Sequence, residues 1–325
     1  RCVFADQAGQ VYTTALTAPA APLLVSPTLP LARLDLAPNG LSLGLVLTDD
    51  LDIINLTEPA VAGGISGLGG LAELQWAPDS QHLAYITRTE TNANLYVFDV
   101  SGAGDPEQVA QGDWLGLAAW APDSQHLAFA QRGLDHPNGG YQRQDLFVSD
   151  VNGAEVLNRT EYFEDRQRPP PDHPFGVRWL TWLADSSTLA FTWTSWPVDP
   201  GQAEVNVVSA VKDGGEPSGQ LAAAGALLTD GTRLTYSPDG ANVAALLHTV
   251  DGRRFVWGRA LASDAWVALT PAEHTVLDLC WTSDSRALVY TTDEGGLYWL
   301  DSRGGEPARL VAVAAPQRIT RLQCP

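Results

Sequence analysis

Two identical tripeptides carry the side chains best suited to metal chemistry. Asp-His-Pro occurs at residues 135–137 and again at residues 172–174. Imidazole and carboxylate groups together bind first-row transition metals, so the two segments would form a site if they converged. Pro-rich loops also produce such tripeptides by chance. That explanation is preferred, and we predict no metal site.

An acidic turn is the second candidate for ion binding. Asp49, Asp50 and Asp52 supply carboxylate oxygens of the kind that calcium prefers. A calcium ion would also need carbonyl oxygens from neighbouring turns. A solvated acidic turn is the simpler interpretation.

Catalytic motifs are missing from the sequence. It contains no HExxH pair, no Walker loop, no zinc-type cysteine pairing and no GxSxG elbow. Segment 63–67 reads Gly-Gly-Ile-Ser-Gly, which approaches the last motif but lacks its final glycine. The sequence therefore predicts a protein that is not an enzyme, with no catalytic residues and no cofactor.

The remaining histidines of interest belong to an internal repeat, the strongest signal in the sequence. Residues 74–85 read Leu-Gln-Trp-Ala-Pro-Asp-Ser-Gln-His-Leu-Ala-Tyr, and residues 118–129 read Ala-Ala-Trp-Ala-Pro-Asp-Ser-Gln-His-Leu-Ala-Phe. Because His82 and His126 occupy the same place in both copies, we predict that they are structural. In each copy an apolar strand is followed by a Pro-Asp turn, in which Pro presets φ and Asp and Ser suit the later positions.

Four short strands make up each repeat. After the turn come a second apolar strand, a third with a Leu-Tyr-Val-x-Asp pattern, a Gly-containing turn and a short fourth strand. Strands and turns at this spacing describe one blade of a β-propeller. The large residues that end the first strands recur near the ~40-residue period of such blades, with longer intervals in mid-chain. They are Leu36, Trp76, Trp120, Trp182, Tyr236 and Trp281.

This repeat resembles the TolB-type, or PD40, propeller repeat, a WD40-like unit whose core reads Trp-Ser-Pro-Asp-Gly followed by Leu-Ala-Phe. The resemblance covers nearly the whole chain and implies an all-β fold, a β-propeller. It does not imply one function, because the same blades serve as binding scaffolds and as the lids of prolyl-oligopeptidase-like enzymes.

Strands at the two ends of the chain supply one further blade. Residues 319–325 resemble a first strand, and residues 2–6 and 10–16 resemble second and third strands. Pairing them would hide the edge strands of a propeller. We therefore predict a single domain, a seven-bladed β-propeller with the last blade closed by N- and C-terminal strands. The predicted blades are residues 319–325 with 1–31, then 32–70, 71–113, 114–176, 177–230, 231–275 and 276–318.

Cysteine placement agrees with that closure. Cys2 and Cys324 would flank one turn on adjacent strands, which predicts a disulfide between them. Cys280 lies in a first strand and is predicted to be a buried, inert thiol. A disulfide implies an oxidising, extracytoplasmic location, whether periplasmic, cell-surface or secreted. The chain begins at Arg1 and contains no Met, as expected if a signal peptide was cleaved or the chain was trimmed in another way.

The charge of the chain excludes two classes of partner. Its formal net charge is −19, whereas nucleic acids and anionic lipid surfaces both select a basic protein surface. No uninterrupted apolar run reaches the ~18 residues of a membrane helix, so we predict no direct membrane insertion.

Three insertions interrupt the repeats in mid-chain. The first covers residues 132–145, the second 161–176 and the third 193–204. Propeller connections alternate between two faces, and strand order places all three insertions on the same face. Their aromatic and Arg side chains are types enriched at binding hot spots, although packing of the rings onto the blades is the open alternative. The predicted partner-binding residues are Tyr141, Arg143, Tyr162, Phe163, Arg166, Arg168, Phe175, Trp193 and Trp196.

These features together predict a non-enzymatic, extracytoplasmic β-propeller scaffold that binds another protein, as a subunit or accessory of a larger envelope or surface assembly. The alternative is a propeller enzyme or binding protein that acts on a small molecule or glycan at the central funnel. That alternative requires polar, titratable residues around the mouth of the funnel. Fold alone does not choose between the two functions.

Overall fold

Short strands joined by turns make up the described part of the chain. The computed structural model describes residues 2–6, 10–14, 23–26, 31–47, 49–57, 60–101, 104–132, 143–160, 175–183, 185–194, 204–209, 219–220, 233–248, 253–260, 267–303, 305–312 and 319–324. Every helix or strand recorded in these ranges is a β-strand, which confirms the all-β prediction.

The first fourteen strands are β1 Cys2–Asp6, β2 Val11–Thr14, β3 Leu23–Ser26, β4 Leu31–Leu36, β5 Ser42–Leu47, β6 Asp50–Asn55, β7 Ala60–Ile65, β8 Leu71–Trp76, β9 His82–Arg88, β10 Ala93–Asp99, β11 Glu107–Gly112, β12 Leu115–Trp120, β13 His126–Arg132 and β14 Arg143–Asp150. The others are β15 Val156–Asn158, β16 Phe175–Trp182, β17 Thr188–Thr194, β18 Glu204–Ser209, β19 Gly219–Gln220, β20 Arg233–Tyr236, β21 Asn242–His248, β22 Arg254–Ala260, β23 Val267–Ala268, β24 Val276–Trp281, β25 Ala287–Thr292, β26 Gly296–Asp301, β27 Ala308–Ala312 and β28 Ile319–Gln323.

These strands divide between two compact units. The first unit, Arg1–Gly64 with Gly231–Pro325, holds four-stranded sheets in the orders β28-β1-β2-β3, β4-β5-β6-β7, β20-β21-β22-β23 and β24-β25-β26-β27. The second unit, Ile65–Asp230, holds the sheet β11-β10-β9-β8 and one eight-stranded sheet. In the larger sheet β12-β13-β14 continues as β16-β17-β18-β19, and β15 pairs with β14.

This arrangement corrects the predicted number of blades. The described residues form five separate four-stranded blades, and the prediction of seven is wrong. The repeats predicted at residues 114–176 and 177–230 share one continuous sheet, because β14 and β16 pair in parallel. That pair forms at the ends of two insertions, where the repeat pattern carries no signal.

The predicted closure by both chain ends is present in the structure. β28 pairs with β1 in antiparallel fashion, with Val3 opposite Gln323 and Phe4 opposite Leu322. Phe4 and Leu322 are buried in one cluster with Leu297 of the sheet β24–β27. Both backbone pairing and apolar packing therefore hold the C-terminal strand.

The disulfide differs from the predicted one. Cys324 is bonded to Cys280, with Cα atoms 5.8 Å apart, so the predicted pairing of Cys324 with Cys2 is corrected. Cys280 lies in β24, and it is not the inert thiol that we predicted. The prediction considered only neighbours within the closing sheet, whereas a cysteine on a first strand also reaches the first strand of the next sheet.

The buried core lies between sheets. The second strands β9 and β13 each contain four consecutive buried residues. A strand buries both faces in this way only when other structure packs on each side. Accordingly, Trp120 and Phe129 share a cluster with Ile86 and Leu95 of the preceding repeat. Burial of each such side chain contributes about 1.5–3 kcal/mol, so these two sheets stabilise one another.

Tryptophans that end first strands also form polar links between repeats. The indole N–H donates to a backbone carbonyl of the preceding repeat, at the position just before that repeat's own anchor residue. The three bonds are Trp120 to Gln75 at 3.1 Å, Trp182 to Ala119 at 3.0 Å and Trp281 to Thr235 at 3.2 Å. At each of these three contacts between repeats, the tryptophan side chain therefore both buries apolar surface and makes a hydrogen bond.

The histidines of the repeat are structural, as predicted. Nδ1 of His82 lies 2.7 Å from the carboxylate of Asp79, and the imidazole packs near the ring of Trp120 with centroids 6.4 Å apart. His126 makes the same two kinds of contact one repeat later. The histidine therefore connects its own turn to the next tryptophan.

Serine residues in the turns connect repeats a second time. Four of them adopt the left-handed φ region that favours glycine, with φ of 54–60°: Ser80, Ser124, Ser186 and Ser285. The Oγ of Ser124 accepts the backbone N–H of Asp79 at 2.9 Å, and Ser285 accepts that of Asp239 at 2.9 Å. Glycine at these positions would remove the backbone strain, but it has no side-chain oxygen that could accept this hydrogen bond.

Turn aspartates are stabilised in their ionised form. The hydroxyl of Ser237 donates to the carboxylate of Asp239 at 2.6 Å, and this bond holds the pKa of Asp239 below its ordinary value. Thr282 does the same for Asp284 at 2.7 Å, and lowers the pKa of that carboxyl. A folded-state pKa that is lowered adds stability above the unfolded Asp pKa of about 3.9, and that stability is lost as pH falls through the folded value.

We expect Trp120→Phe to lower the free energy of unfolding by about 2–4 kcal/mol, because it removes a hydrogen bond to Gln75 and leaves a small cavity. Urea denaturation followed by fluorescence measures the change. Trp299→Phe is the matched control, since Trp299 is only partly buried and makes no hydrogen bond to a described residue. Equal losses in the two variants would show that the indole N–H link contributes nothing.

We expect the double variant Asp239→Asn with Asp284→Asn to lose less stability than the wild type between about pH 5 and pH 2, because two carboxylates with lowered pKa values are gone. Thermal denaturation across this pH range measures the difference. Asp105→Asn, at an exposed carboxylate, is the control and should keep the wild-type pH dependence. A double variant as acid-sensitive as the wild type would contradict the assignment.

Candidate protein-binding surface

The strand ends that flank the three insertions meet at one edge of the eight-stranded sheet. Arg132 lies opposite Gln144 across the first insertion. Gln144 lies beside Gly176, the last residue of the second insertion. Gly176 lies opposite Thr194, which enters the third insertion. All three insertions therefore leave the sheet from the same edge, while their placement on one face stays a prediction.

A glycine makes this junction possible. Gly176 has φ of 97°, a region that other residues rarely adopt. A Cβ at this position would overlap the carbonyl oxygen of Gln144. The parallel approach of β14 and β16 thus requires glycine on both conformational and steric grounds.

A buried polar network fixes the start of the second insertion. Nε of Arg143 donates to Oδ1 of Asp145 at 2.8 Å, and its Nη2 donates to the carbonyl oxygen of Thr160 at 2.7 Å. The hydroxyl of Thr160 donates to the same Oδ1 at 2.9 Å. Arg143 and Asp145 are each 6% exposed and Thr160 is fully buried. Charges this deep need paired, hydrogen-bonded partners, and here each has them.

The predicted binding residues fall into three groups. Arg143 is buried in this network, and its part in partner binding stays a prediction. Phe175 and Trp193 lie at the ends of β16 and β17. The others lie outside the described residues: Tyr141, Tyr162, Phe163, Arg166, Arg168 and Trp196.

One cluster beside the first insertion was not predicted from the sequence. The guanidinium of Arg88 lies 5.0 Å from the ring centroid of Trp114 and donates to Glu73 at 2.9 Å. The carbonyl oxygen of Trp114 accepts the backbone N–H of Arg132, where the first insertion begins. Arg88 and Glu73 are 31% and 24% exposed, so the cluster is accessible.

Backbone irregularity shapes this cluster. The carboxylate of Glu73 accepts the N–H groups of Leu117 and Ala118, each at 3.1 Å. Leu117 has φ of 58°, and the β12–β13 register shifts at the same point. A β-bulge of this kind changes the direction of nearby side chains, and bulges are common beside functional sites. The available sequence signal was the acidic residue three places before Trp76, which interrupts an apolar strand.

Metal ligands do not cluster in the described ranges. No group of three or more His, Cys, Asp or Glu side chains there could hold an ion. Both Asp-His-Pro tripeptides lie outside these ranges. Within the described residues there is also no helix long and apolar enough to cross a membrane.

Comparison with known proteins identifies the architecture. No protein-family model matches the sequence, and no curated protein matches it either. Solved structures do match. TolB from Acinetobacter baumannii has a TM-score of 0.54 at 17% identity, over 87% of this chain and 66% of that chain. The fold is a β-propeller. The predicted resemblance to TolB-type propellers is thereby confirmed at the level of fold.

Two further matches show how widely this propeller fold is used. Oligogalacturonate lyase from Vibrio parahaemolyticus has a TM-score of 0.64 at 13% identity, over 92% of this chain and 82% of that chain. A chain of a mitotic checkpoint complex has a TM-score of 0.60 at 14% identity, over 92% and 85%. Identities this low establish the propeller fold alone, and this propeller spans just under two thirds of the TolB chain.

We expect Asp145→Ala to lower the free energy of unfolding by about 3–5 kcal/mol, because it leaves the buried Arg143 guanidinium without its carboxylate. Urea denaturation measures the change. Arg286→Ala is the control, because its pair with Asp284 is exposed and 4.0 Å long, and such pairs contribute about 0–1 kcal/mol. Replacing both buried charges, with Arg143→Met and Asp145→Leu, should recover most of the loss. If Asp145→Ala lowers the free energy of unfolding no more than Arg286→Ala does, the buried network does not stabilise this edge.

Proposed function

We propose that this β-propeller is a non-enzymatic scaffold that binds another protein through its three insertions and the adjoining Arg88–Trp114 cluster. The observation that carries the proposal is the common origin of the insertions at one sheet edge. Loops on a rigid scaffold are where binding residues concentrate. The buried Arg143 network supplies that rigidity at the start of the second insertion.

Side-chain chemistry supports a protein partner. Trp, Tyr and Arg dominate binding hot spots, since they bury large area and also donate hydrogen bonds. The residues of these types in the insertions include Tyr141, Tyr162, Arg166, Arg168 and Trp196. Arg88 over Trp114 adds an ordered, part-exposed pair of the same types beside them.

Redox chemistry supports an extracytoplasmic location. The Cys280–Cys324 disulfide persists in oxidising compartments and is rare in the cytosol. The proposed role is therefore that of a subunit or accessory in an envelope or surface assembly. Similarity to a chain of a multiprotein complex is compatible with this role.

We expect photoreactive benzoylphenylalanine in place of Phe163 or Trp196 to cross-link one protein in extracts of the source cell. The matched control carries the same group in place of Leu41, a turn residue that is 48% exposed and distant in sequence from the insertions. This control should give no such product. Mass spectrometry of the cross-linked peptide identifies the partner.

The purified partner then allows a quantitative measurement. Phe163→Ala with Trp196→Ala should weaken binding at least tenfold, because each buried anchor carries about 2 kcal/mol. Thermal stability should remain nearly unchanged. If the double variant instead unfolds early while each folded molecule binds normally, these rings pack on the blades and the proposal fails. Cross-linking to a glycan or small molecule alone would favour the funnel-binding alternative.

A further inference from the structure

Strand β7 ends its sheet with an outer edge that pairs with no described strand. The sheet order is β4-β5-β6-β7, so among the described strands β7 pairs with β6 alone. Residues 61–64 of β7 are exposed, and Val61 is 62% exposed. A strand at the edge of a sheet presents a row of outward N–H and C=O groups, and these groups are a template for pairing with a strand of another chain.

The other outer strands that the structure describes carry features that oppose such pairing. β15, β19 and β23 contain only two or three residues each. β11 and β27 each carry a charged residue, Glu107 and Arg309, and each has a register shift with its neighbour. β3 has four residues and a similar shift. Short length, charge and bulges are the usual means by which proteins prevent edge strands from adding another strand.

β7 differs from these strands in length and in charge. It contains six residues, Ala60–Ile65, with no charged side chain and no proline. The whole segment 60–72 contains no charged residue. A Cβ at Gly63 would meet no atom within 4 Å, so space is open on that side of the strand. The edge of β7 is therefore long enough to pair with a further strand and has no charge that would oppose it.

Acidic side chains lie near one end of this edge. A Cβ at Gly64 would overlap the carbonyl oxygen of Leu51, so the C-terminal end of β7 lies against the start of β6. Asp50 begins β6, Asp49 precedes it, and both are exposed. A strand added to β7 would lie about 10 Å from β6, because neighbouring strands are about 4.8 Å apart. This distance is about one Debye length at 0.1 M salt, so the two carboxylates would attract basic side chains at the same end of the added strand.

We propose that β7 is a docking site for an extended segment of a partner protein, which pairs with β7 as a further strand and carries Lys or Arg beside Asp49 and Asp50. In strand addition, backbone hydrogen bonds supply the affinity and side chains supply the specificity. Charge disfavours a second copy of this chain as the occupant, since each copy has a net charge of −19. β7 belongs to a different sheet from the strand ends that flank the three insertions, so the site does not rest on the function proposed above.

An NMR titration of the isotope-labelled full chain tests the proposal. The probe is the acetylated and amidated peptide Lys-Lys-Val-Thr-Val-Thr-Val. One control peptide has Glu in place of both Lys residues, and the other is N-methylated at successive residues, which removes N–H donors from both of its edges. We expect the basic peptide to shift the amide resonances of residues 61–65 and to leave those of β27 unchanged. At low salt it should bind at least about tenfold more tightly than either control peptide, because the controls lose charge attraction or backbone hydrogen bonds.

Variants of the protein test the same contacts from the other side. Backbone groups of successive residues in a strand point to opposite edges, so one of Ala62→Pro and Gly63→Pro removes an outward N–H group and keeps the bonds to β6. The proline variant that keeps the wild-type melting temperature should bind the basic peptide at least about tenfold more weakly. Asp49→Asn with Asp50→Asn should bring the affinity for the basic peptide close to that for the Glu peptide. Asp105→Asn is the matched control and should bind as the wild type does.

Three results of the titration would overturn the proposal. The first is that the basic peptide at about 1 mM shifts no resonance of β7, since such a site would be too weak to dock a partner. The second is that the N-methylated peptide or the Glu peptide binds as tightly as the basic peptide. The third is a dimer of the wild-type chain, detected by light scattering and lost in the folded proline variant, because a second copy would then occupy β7.

Discussion

Within each compact unit, the packing of neighbouring repeats against one another is the constraint on which the rest of the structure depends. A second strand with four consecutive buried residues cannot remain in water on either face. The anchor tryptophan satisfies this need and also orients the contact, because its indole N–H reaches one carbonyl of the preceding repeat. Stability is therefore a property of neighbouring pairs, much as in other repeat proteins.

This packing between repeats explains which connections between strands can differ in length. Anchors, turns and second strands are occupied by contacts between repeats, whereas the connections at the opposite strand ends are free to lengthen. The three insertions leave one sheet edge, and there the structure adds its own supports: the parallel pairing that Gly176 permits and the buried Arg143–Asp145 pair. The candidate surface is thus held by interactions that do not belong to the repeat.

The sequence predicted what the repeat encodes and missed what lies outside it. Turn chemistry, structural histidines and terminal closure follow from local patterns, and all are present. The blade count failed because a parallel pair formed between insertions. Arg143 was assigned to the binding surface because it lies in an insertion and Arg is enriched at binding hot spots. Its burial depends on Thr160, a residue distant in sequence whose proximity no spacing rule reveals.

Tying both ends of the second insertion has an evolutionary consequence. Thr160 and Gly176 are each held to β14, so the segment between them is a closed loop with fixed ends. The entropic cost of closing a loop rises only slowly with its length, by roughly 0.6 kcal/mol per doubling. Residues can therefore be gained, lost or exchanged between these two points with little effect on the sheet beneath. Evolution can therefore change the composition of this loop while the sheet that holds its ends stays the same.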